Sequence, residues 1–199
     1  PALYVSPDNQ LVKQVIQEAN ALGIEVTDDP RSSSYIAGEA IGVVTIHRLF
    51  NGRSIFGVGG SQIEIGSIVI DDAHACVATV AQQFRLVIPN TSDVYRAMLL
   101  EFDSDLRGYN EAKFLDIDAG DPRAHMEVPF WSWQSHCGQV LKMLHDHRDD
   151  PELKFTFPLI GELLRQCRCV IGGQRLEIEP LFPATDRIQS FRRAKRRIY

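Results

Sequence analysis

An α/β fold built on a parallel sheet is predicted for this chain, and three observations predict it. Short apolar segments alternate with amphipathic ones through the N-terminal half. Turn and cap residues stand where one kind gives way to the other. A β-branched run, Ile68-Val69-Ile70, leads through polar residues into a helical pattern. In order, Ala2 to Ser6 reads as a short buried strand, and Ser6-Pro7-Asp8-Asn9 as a turn that starts a helix. Leu11, Val15, Ala19 and Leu22 then form a stripe at helical spacing, widened by Val12 and Ile16, and Gly23 suits the position just past the helix end.

Ile24-Glu25-Val26 resumes extended structure, and 27–40 is polar and loop-like. Strands are expected at Ile41 to Ile46 and at Ser67 to Ile70, with Gly57-Val58-Gly59-Gly60 between them as a hairpin loop. Ala75 to Phe84 reads as a helix and Arg85 to Ile88 as extended chain. Thr91 or Ser92 can cap a helix running to about Phe102. Residues 101–121 hold seven acidic and two basic side chains, and helical patterns follow near 130–147 and 158–166. The segment 105–168 is therefore expected to be a mainly helical insertion. The core is expected to resume at 169–199, with a hairpin around Gly172-Gly173 and a final strand at Arg196 to Tyr199.

At 199 residues, 44% of them hydrophobic, the chain can bury a full domain core with an elaboration. No apolar run approaches the ~20 residues of a bilayer span, and no basic segment precedes the opening Pro1-Ala2-Leu3-Tyr4-Val5, so neither a membrane segment nor a signal peptide is expected. The chain opens inside a strand pattern without Met and is expected to be cut from something larger. Four cysteines make no disulfide framework, which points to a reducing, cytoplasmic setting. The formal charge of -5 is uneven. Arg192, Arg193, Lys195, Arg196 and Arg197 cluster at the end, which leaves 16 basic against 26 acidic groups elsewhere. That balance argues weakly against nucleic acid, although a local basic track suffices for a protein that grips one strand.

The chemistry concentrates in Ile68-Val69-Ile70-Asp71-Asp72-Ala73-His74. Ligands of parallel α/β sheets bind beyond the carboxyl ends of the strands, where Asp71 and Asp72 are expected. Adjacent carboxylates there can divide two tasks, one holding Mg²⁺ and the other orienting an attacking water. Asp71-Asp72-Ala73-His74 resembles motif II of the DEAD/DEAH-box, superfamily 2 helicases. Tyr4-Val5-Ser6-Pro7-Asp8-Asn9-Gln10-Leu11 resembles motif Ia, and Val43-Val44-Thr45-Ile46-His47 the Ib region. Arg193-Ala194-Lys195-Arg196-Arg197-Ile198-Tyr199 resembles the approach to motif III. The 105–168 segment is similar in position to the insertions of Rad3-like helicases.

The resemblance implies a RecA-like parallel sheet with flanking helices, with 1–104 as helicase core, incomplete because the P-loop strand is lacking. It implies Mg²⁺ with ATP as cofactor and DNA or RNA as partner, beside a second RecA-like domain of the same parent chain. Asp71 would hold the metal, Asp72 would position water, and His74 would couple nucleotide state to the motor. Ser6, Pro7, Gln10, Thr45 and His47 would line the nucleic-acid track. The sequence departs from the family in three ways, one being that the second motor domain, which normally supplies the arginine finger, is missing from it. No Gly-x-x-x-x-Gly-Lys-Ser/Thr occurs in it, so the isolated chain is expected to be inactive. Asp72 also stands where the family usually has Glu, with a shorter reach.

Plainer readings exist for the same residues. Asp71 and Asp72 can cap a strand–helix junction, His74 can be a buried hydrogen-bonded histidine, and Thr45 and His47 can be packing residues. A non-catalytic remnant that binds a protein or nucleic acid is the alternative function. A metal-dependent nuclease would need further acidic residues. Phe130, Trp131 and Trp133 either stack bases or anchor the insertion. Cys167-x-Cys169 and His145-x-His147 are too closely spaced for the usual zinc pattern.

Overall fold

The structure is a computed structural model that describes residues 1–58 and 62–199. The expected loop over 57–60 therefore lies partly outside the described residues. In chain order the strands are β1 (Ala2–Ser6), β2 (Val26–Thr27), β3 (Ile41–Thr45), β4 (Ser67–Ile70), β5 (Leu86–Pro89), β6 (His125–Glu127), β7 (Cys167–Gly172), β8 (Arg175–Pro180) and β9 (Arg196–Ile198). They form two sheets, one all-parallel in the order β2-β3-β1-β4-β9 and one antiparallel in the order β5-β8-β7-β6. The chain accordingly divides into two compact units, Pro1–Gln83 with Pro183–Tyr199, and Phe84–Phe182.

In the first unit β1 leads into α1 (Asn9–Ala21), whose N-terminus is closed by the Asp8 carboxylate accepting from the Gln10 and Leu11 N–H groups at 2.8 and 3.0 Å. Gly23 follows at φ 72, the left-handed conformation that ends many helices. The segment expected as loop contains a short helix, α2 (Ser33–Ala37), capped by Ser32. Its Tyr35 is fully buried, lies against Gly42 and donates to the Glu64 carbonyl at 3.1 Å. β3 passes into α3 (Ile46–Leu49), and β4 into α4 (Ala73–Gln83). Residues paired in register share a face of the sheet, so Val5, Val44 and Ile70 lie together on one side. Tyr4, Val43 and Val69 lie on the other.

The second unit opens with β5 and α5 (Asp93–Glu101), capped by Ser92. It turns at buried Phe102 into α6 (Asp103–Asp118), which is interrupted at Asn110. β6, α7 (Phe130–Asp146), α8 (Phe157–Ile160) and a 3₁₀ turn at Gly161–Gln166 precede the β7–β8 hairpin. Leu86 and Ile88, Met126, Cys167, Cys169 and Ile171, and Leu176 and Ile178 supply the sheet's buried face. The chain then returns to the first unit through α9 (Gln189–Arg193) and β9, which pairs in parallel with β4.

These units differ from the expected division at 104/105 and 168/169. The hairpin at Gly172-Gly173 forms as read, but β8 pairs with β5, Leu86 opposite Ile178, rather than rejoining the parallel sheet. β5 and the insertion thus share one sheet, and the segment read as mainly helical also carries strands. The helix over Asp103–Asp118 was not legible as one, because its acidic run masks a sparse buried set of Leu106, Phe114 and Ile117. Among the described residues, no helix is long and apolar enough to cross a membrane.

The hairpin turn depends on a close backbone approach. A Cβ added at Gly173 would lie 2.3 Å from the Asp121 carbonyl oxygen and 2.7 Å from its nitrogen. Main chain cannot swing aside as a side chain can. Gly173→Ala is expected to destabilise the chain by about 1–3 kcal/mol in urea unfolding, whereas Gly108→Ala, with open space around it, should show no such loss.

Candidate functional site

Parallel register sets the first unit's carboxyl edge. Ser6 pairs with Thr45 and Val5 with Ile70, so the residue after Ile70 is level with Ser6. Ser6, Thr45 and Asp71 therefore end three adjacent strands in one row. The chain leaves β1 toward β3 and β2, and leaves β4 toward β9 on the other side. The connections diverge between β1 and β4, the place where open α/β sheets form their ligand crevice.

Asp71 is held from several directions. Its N–H donates to the Val5 carbonyl at 2.9 Å, and its carboxylate accepts from the Asp72 N–H at 3.0 Å. The Cys76 thiol donates to its carbonyl at 3.3 Å. The Tyr4 phenol lies close to the Asp71 side chain, and its pKa is raised by burial first, then by the interaction with Asp71 and the charge of Glu18. Tyr4 was not among the residues singled out from sequence, though strand alternation puts it on the face of Ser6.

Asp72 has φ 45, the one non-glycine residue with positive φ among the described residues. Aspartate tolerates that conformation better than most residues. Its Oδ1 accepts from the Ala75 N–H at 3.2 Å and its carbonyl from the Cys76 N–H at 3.0 Å, so Asp72 caps α4. His74 is exposed in the first turn of α4 rather than buried.

The other candidates divide. Ser6 is fully buried, and among the described residues its hydroxyl has no hydrogen-bond partner. Pro7 is half-buried, and Gln10 is exposed in the first turn of α1. The Thr45 hydroxyl caps α3 by accepting from the Arg48 N–H at 3.3 Å, so Ile46, expected in the strand, begins that helix, and His47 is exposed on it. Register thus aligns Ser6, Thr45 and Asp71, with Pro7, Asp72 and His74 following directly.

Among the described residues, no three His, Cys, Asp or Glu side chains are grouped to hold a metal. That arrangement still fits Mg²⁺, which is commonly held by one or two carboxylates together with phosphates and water. Asp71 at the strand end is the residue that suits it. Behind the junction lies an apolar groove of about 330 Å³, lined in part by Ile46, Phe50, Ile70, Cys76, Val80 and Phe191. Burial, with the charges of Asp72 and Asp71, pushes the Cys76 thiol up to about 11, so it stays protonated and poorly nucleophilic.

In the second unit the aromatic cluster is split. Trp133 is buried, donates its indole N–H to the Leu164 carbonyl at 2.8 Å and stacks on Phe102, so it anchors α7. Phe130 and Trp131 are exposed at 75% and 60%. Cys137, Cys167 and Cys169 are free and buried, and burial raises all three thiols, Cys167 to about 12. The 530 Å³ groove on the open face of the antiparallel sheet is crossed by the chain Arg168–Glu179–Arg85–Glu177–Arg175, in which every arginine is paired with a carboxylate. In the terminal basic run, Arg197 donates to the Arg192 carbonyl at 2.7 Å and lies over the Phe191 ring.

No protein-family model, curated protein or solved structure matches the chain.

Two outcomes follow from this geometry. Asp72→Asn keeps both a cap and tolerance of positive φ and should leave stability within about 0.5 kcal/mol, whereas Asp72→Ala loses both and should cost about 1–2 kcal/mol in urea unfolding. In the native protein at about pH 8, iodoacetamide should label Cys76 and Cys169 far more slowly than after unfolding, as read by mass spectrometry of the peptides; equal labelling in both states would contradict the burial described.

Proposed function

We propose that the chain is part of the first, RecA-like motor domain of a DEAD/DEAH-box, superfamily 2 helicase of the Rad3-like kind. In such a motor, ATP hydrolysis drives unwinding of, or translocation along, DNA or RNA. The observation that carries the reading is the level row Ser6, Thr45 and Asp71 at the point where the sheet's connections diverge, with Asp72 next to Asp71 and His74 in the first turn of α4. It adds a shared location to three sequence resemblances that are otherwise separate.

In this reading Asp71 would hold a Mg²⁺ ion, which would supply charge neutralisation for phosphoryl transfer. The Asp72 N–H holds the Asp71 carboxylate, beside the Tyr4 phenol. Asp72 orients the attacking water and His74 relays nucleotide state. Ser6, Pro7, Gln10, Thr45 and His47 line the track for the nucleic-acid backbone. The setting is cytoplasmic, and a second RecA-like domain of the parent chain completes the motor.

A second reading is favoured by one observation. The Asp72 carboxylate already caps α4, and a cap does not have to be a catalytic group. With no Gly-x-x-x-x-Gly-Lys-Ser/Thr in the sequence, the chain then serves as a non-catalytic binding module.

Fluorescence anisotropy with a labelled single-stranded oligonucleotide separates the two. The motor reading expects salt-sensitive binding that weakens by roughly 3- to 10-fold in the Thr45→Ala/His47→Ala double variant. No binding at low salt removes the nucleic-acid track and leaves the protein-binding module. Mg²⁺-ATP turnover by this chain should stay at background; turnover abolished by Asp71→Asn would show that the phosphates are held without a P-loop.

A further inference from the structure

The open face of the antiparallel sheet carries a set of guanidinium groups that the motor reading does not use. Strand alternation puts Arg168, Val170 and Gly172 of β7 on that face, together with Arg175, Glu177 and Glu179 of β8. Glu179 stands opposite Arg168, and Arg85 reaches it from the β5 side at 2.6 Å. Arg175 donates to Glu177 at 2.7 Å. The two carboxylates are the more shielded partners, 16% and 23% exposed, and the three guanidiniums are the more open ones at 42–64%. Burial acts to raise the Glu179 carboxyl, but hydrogen bonds from Arg168 and Arg85 outweigh it and hold the group below its usual range.

Donor counting shows what these arginines have left. A guanidinium has five N–H groups and no acceptor. Among the described residues, the hydrogen bonds to the two carboxylates use Nε of Arg85 and Arg175, and Nε with one terminal nitrogen of Arg168. Terminal N–H groups of all three remain for a ligand, and the carboxylates hold each fork in place. The face is not a field of excess positive charge, because Glu127, opposite Val170 on β6, adds a third acid that acts on Arg168. Excess charge is what draws a long polyanion. Directed donors hold a compact one. A carboxylate is satisfied by a single fork, whereas the three terminal oxygens of a phosphate monoester take donors from several. The rest of the lining suits the body of such a molecule. Val170 and Gly172 give a small floor without charge, and Gln174, whose amide nitrogen donates to the Gly120 carbonyl at 2.7 Å, offers its oxygen as an acceptor. The groove's volume of about 530 Å³ falls within the ~300–1,000 Å³ of small-molecule pockets.

We propose that this groove binds the phosphate group of a small phosphorylated molecule, with Arg85, Arg168 and Arg175 as its donors and Glu177 and Glu179 as positioning residues. A molecule the size of a nucleoside monophosphate rests its body on Val170 and Gly172 and meets the Gln174 oxygen with a donor group. The site belongs to the second unit alone and holds whether or not the chain is part of a motor.

The test titrates the whole ¹⁵N-labelled chain with inorganic phosphate and with adenosine 5′-monophosphate, and follows the Gly172 and Gly173 amide signals. Adenosine serves as the uncharged comparison. The site predicts that both phosphates shift these signals saturably and that adenosine does not. Arg168→Gln/Arg175→Gln should weaken binding of the monophosphate by roughly 10-fold or more. Val170→Phe, which fills the floor and leaves every arginine in place, should weaken it as well, and it carries the comparison should the double variant fail to fold. A further arm uses an oligothymidylate without terminal phosphate. Shifts at these glycines at far lower concentration of the oligonucleotide than of the monophosphate overturn the small-molecule occupant and make the face a nucleic-acid track. No shift with either phosphate, equal shifts with adenosine, or binding undiminished in the variants overturns the site. The arginines then serve only to pair with the carboxylates of their own sheet.

Discussion

The parallel pairing of β1 with β3 on one side and β4 on the other is the constraint on which the first unit depends. Evenly spaced parallel hydrogen bonds leave no freedom to slip, because a one-residue shift would turn Val5, Val44 and Ile70 away from their shared side. With those residues fixed, Ser6, Thr45 and Asp71 must end in one row. Crossovers leave β1 and β4 in opposite directions there, the position at which open α/β sheets commonly bind ligands.

The strand ends also show how one residue can serve local structure and chemistry together. Each helix that leaves this edge needs its first N–H groups satisfied. Asp8, Thr45 and Asp72 do so for α1, α3 and α4. These are among the residue types that a phosphate- or metal-handling edge also uses. Sequence patterns alone therefore cannot separate capping from catalysis at Asp72. Ser6 and Asp71 differ from that set. The Ser6 hydroxyl caps nothing, and Asp71 is steadied by backbone groups.

The second unit is organised by different forces. A half-covered antiparallel sheet packs its alternating apolar residues inward and keeps a charged, mutually paired ladder outward. Trp133 fixes α7 by burial and one indole hydrogen bond. The polar cluster of His136, Glu101, Asp105 and Ser132 lies between α7 and the α5–α6 corner, partly shielded from water.

The sequence by itself determined the elements whose signals are local. The Ser6-Pro7-Asp8-Asn9 cluster, the stripe from Leu11 to Leu22 and Gly23 mark α1, Thr91 or Ser92 marks the start of α5, and the Gly172-Gly173 turn marks the hairpin. The run into Asp71-Asp72 marked the candidate edge in the same way, since three β-branched residues before a capping pair are read within one short window. Only the tertiary structure decided which strands share a sheet. β5 and β8 are far apart in sequence and join because both present apolar residues to the same core, a preference that neither segment displays alone. It also decided that Trp133 is buried while Trp131 is exposed, and that His136 meets two carboxylates. Those outcomes depend on which face of a helix another element covers, and burial of that kind is a property of the packed chain rather than of any segment.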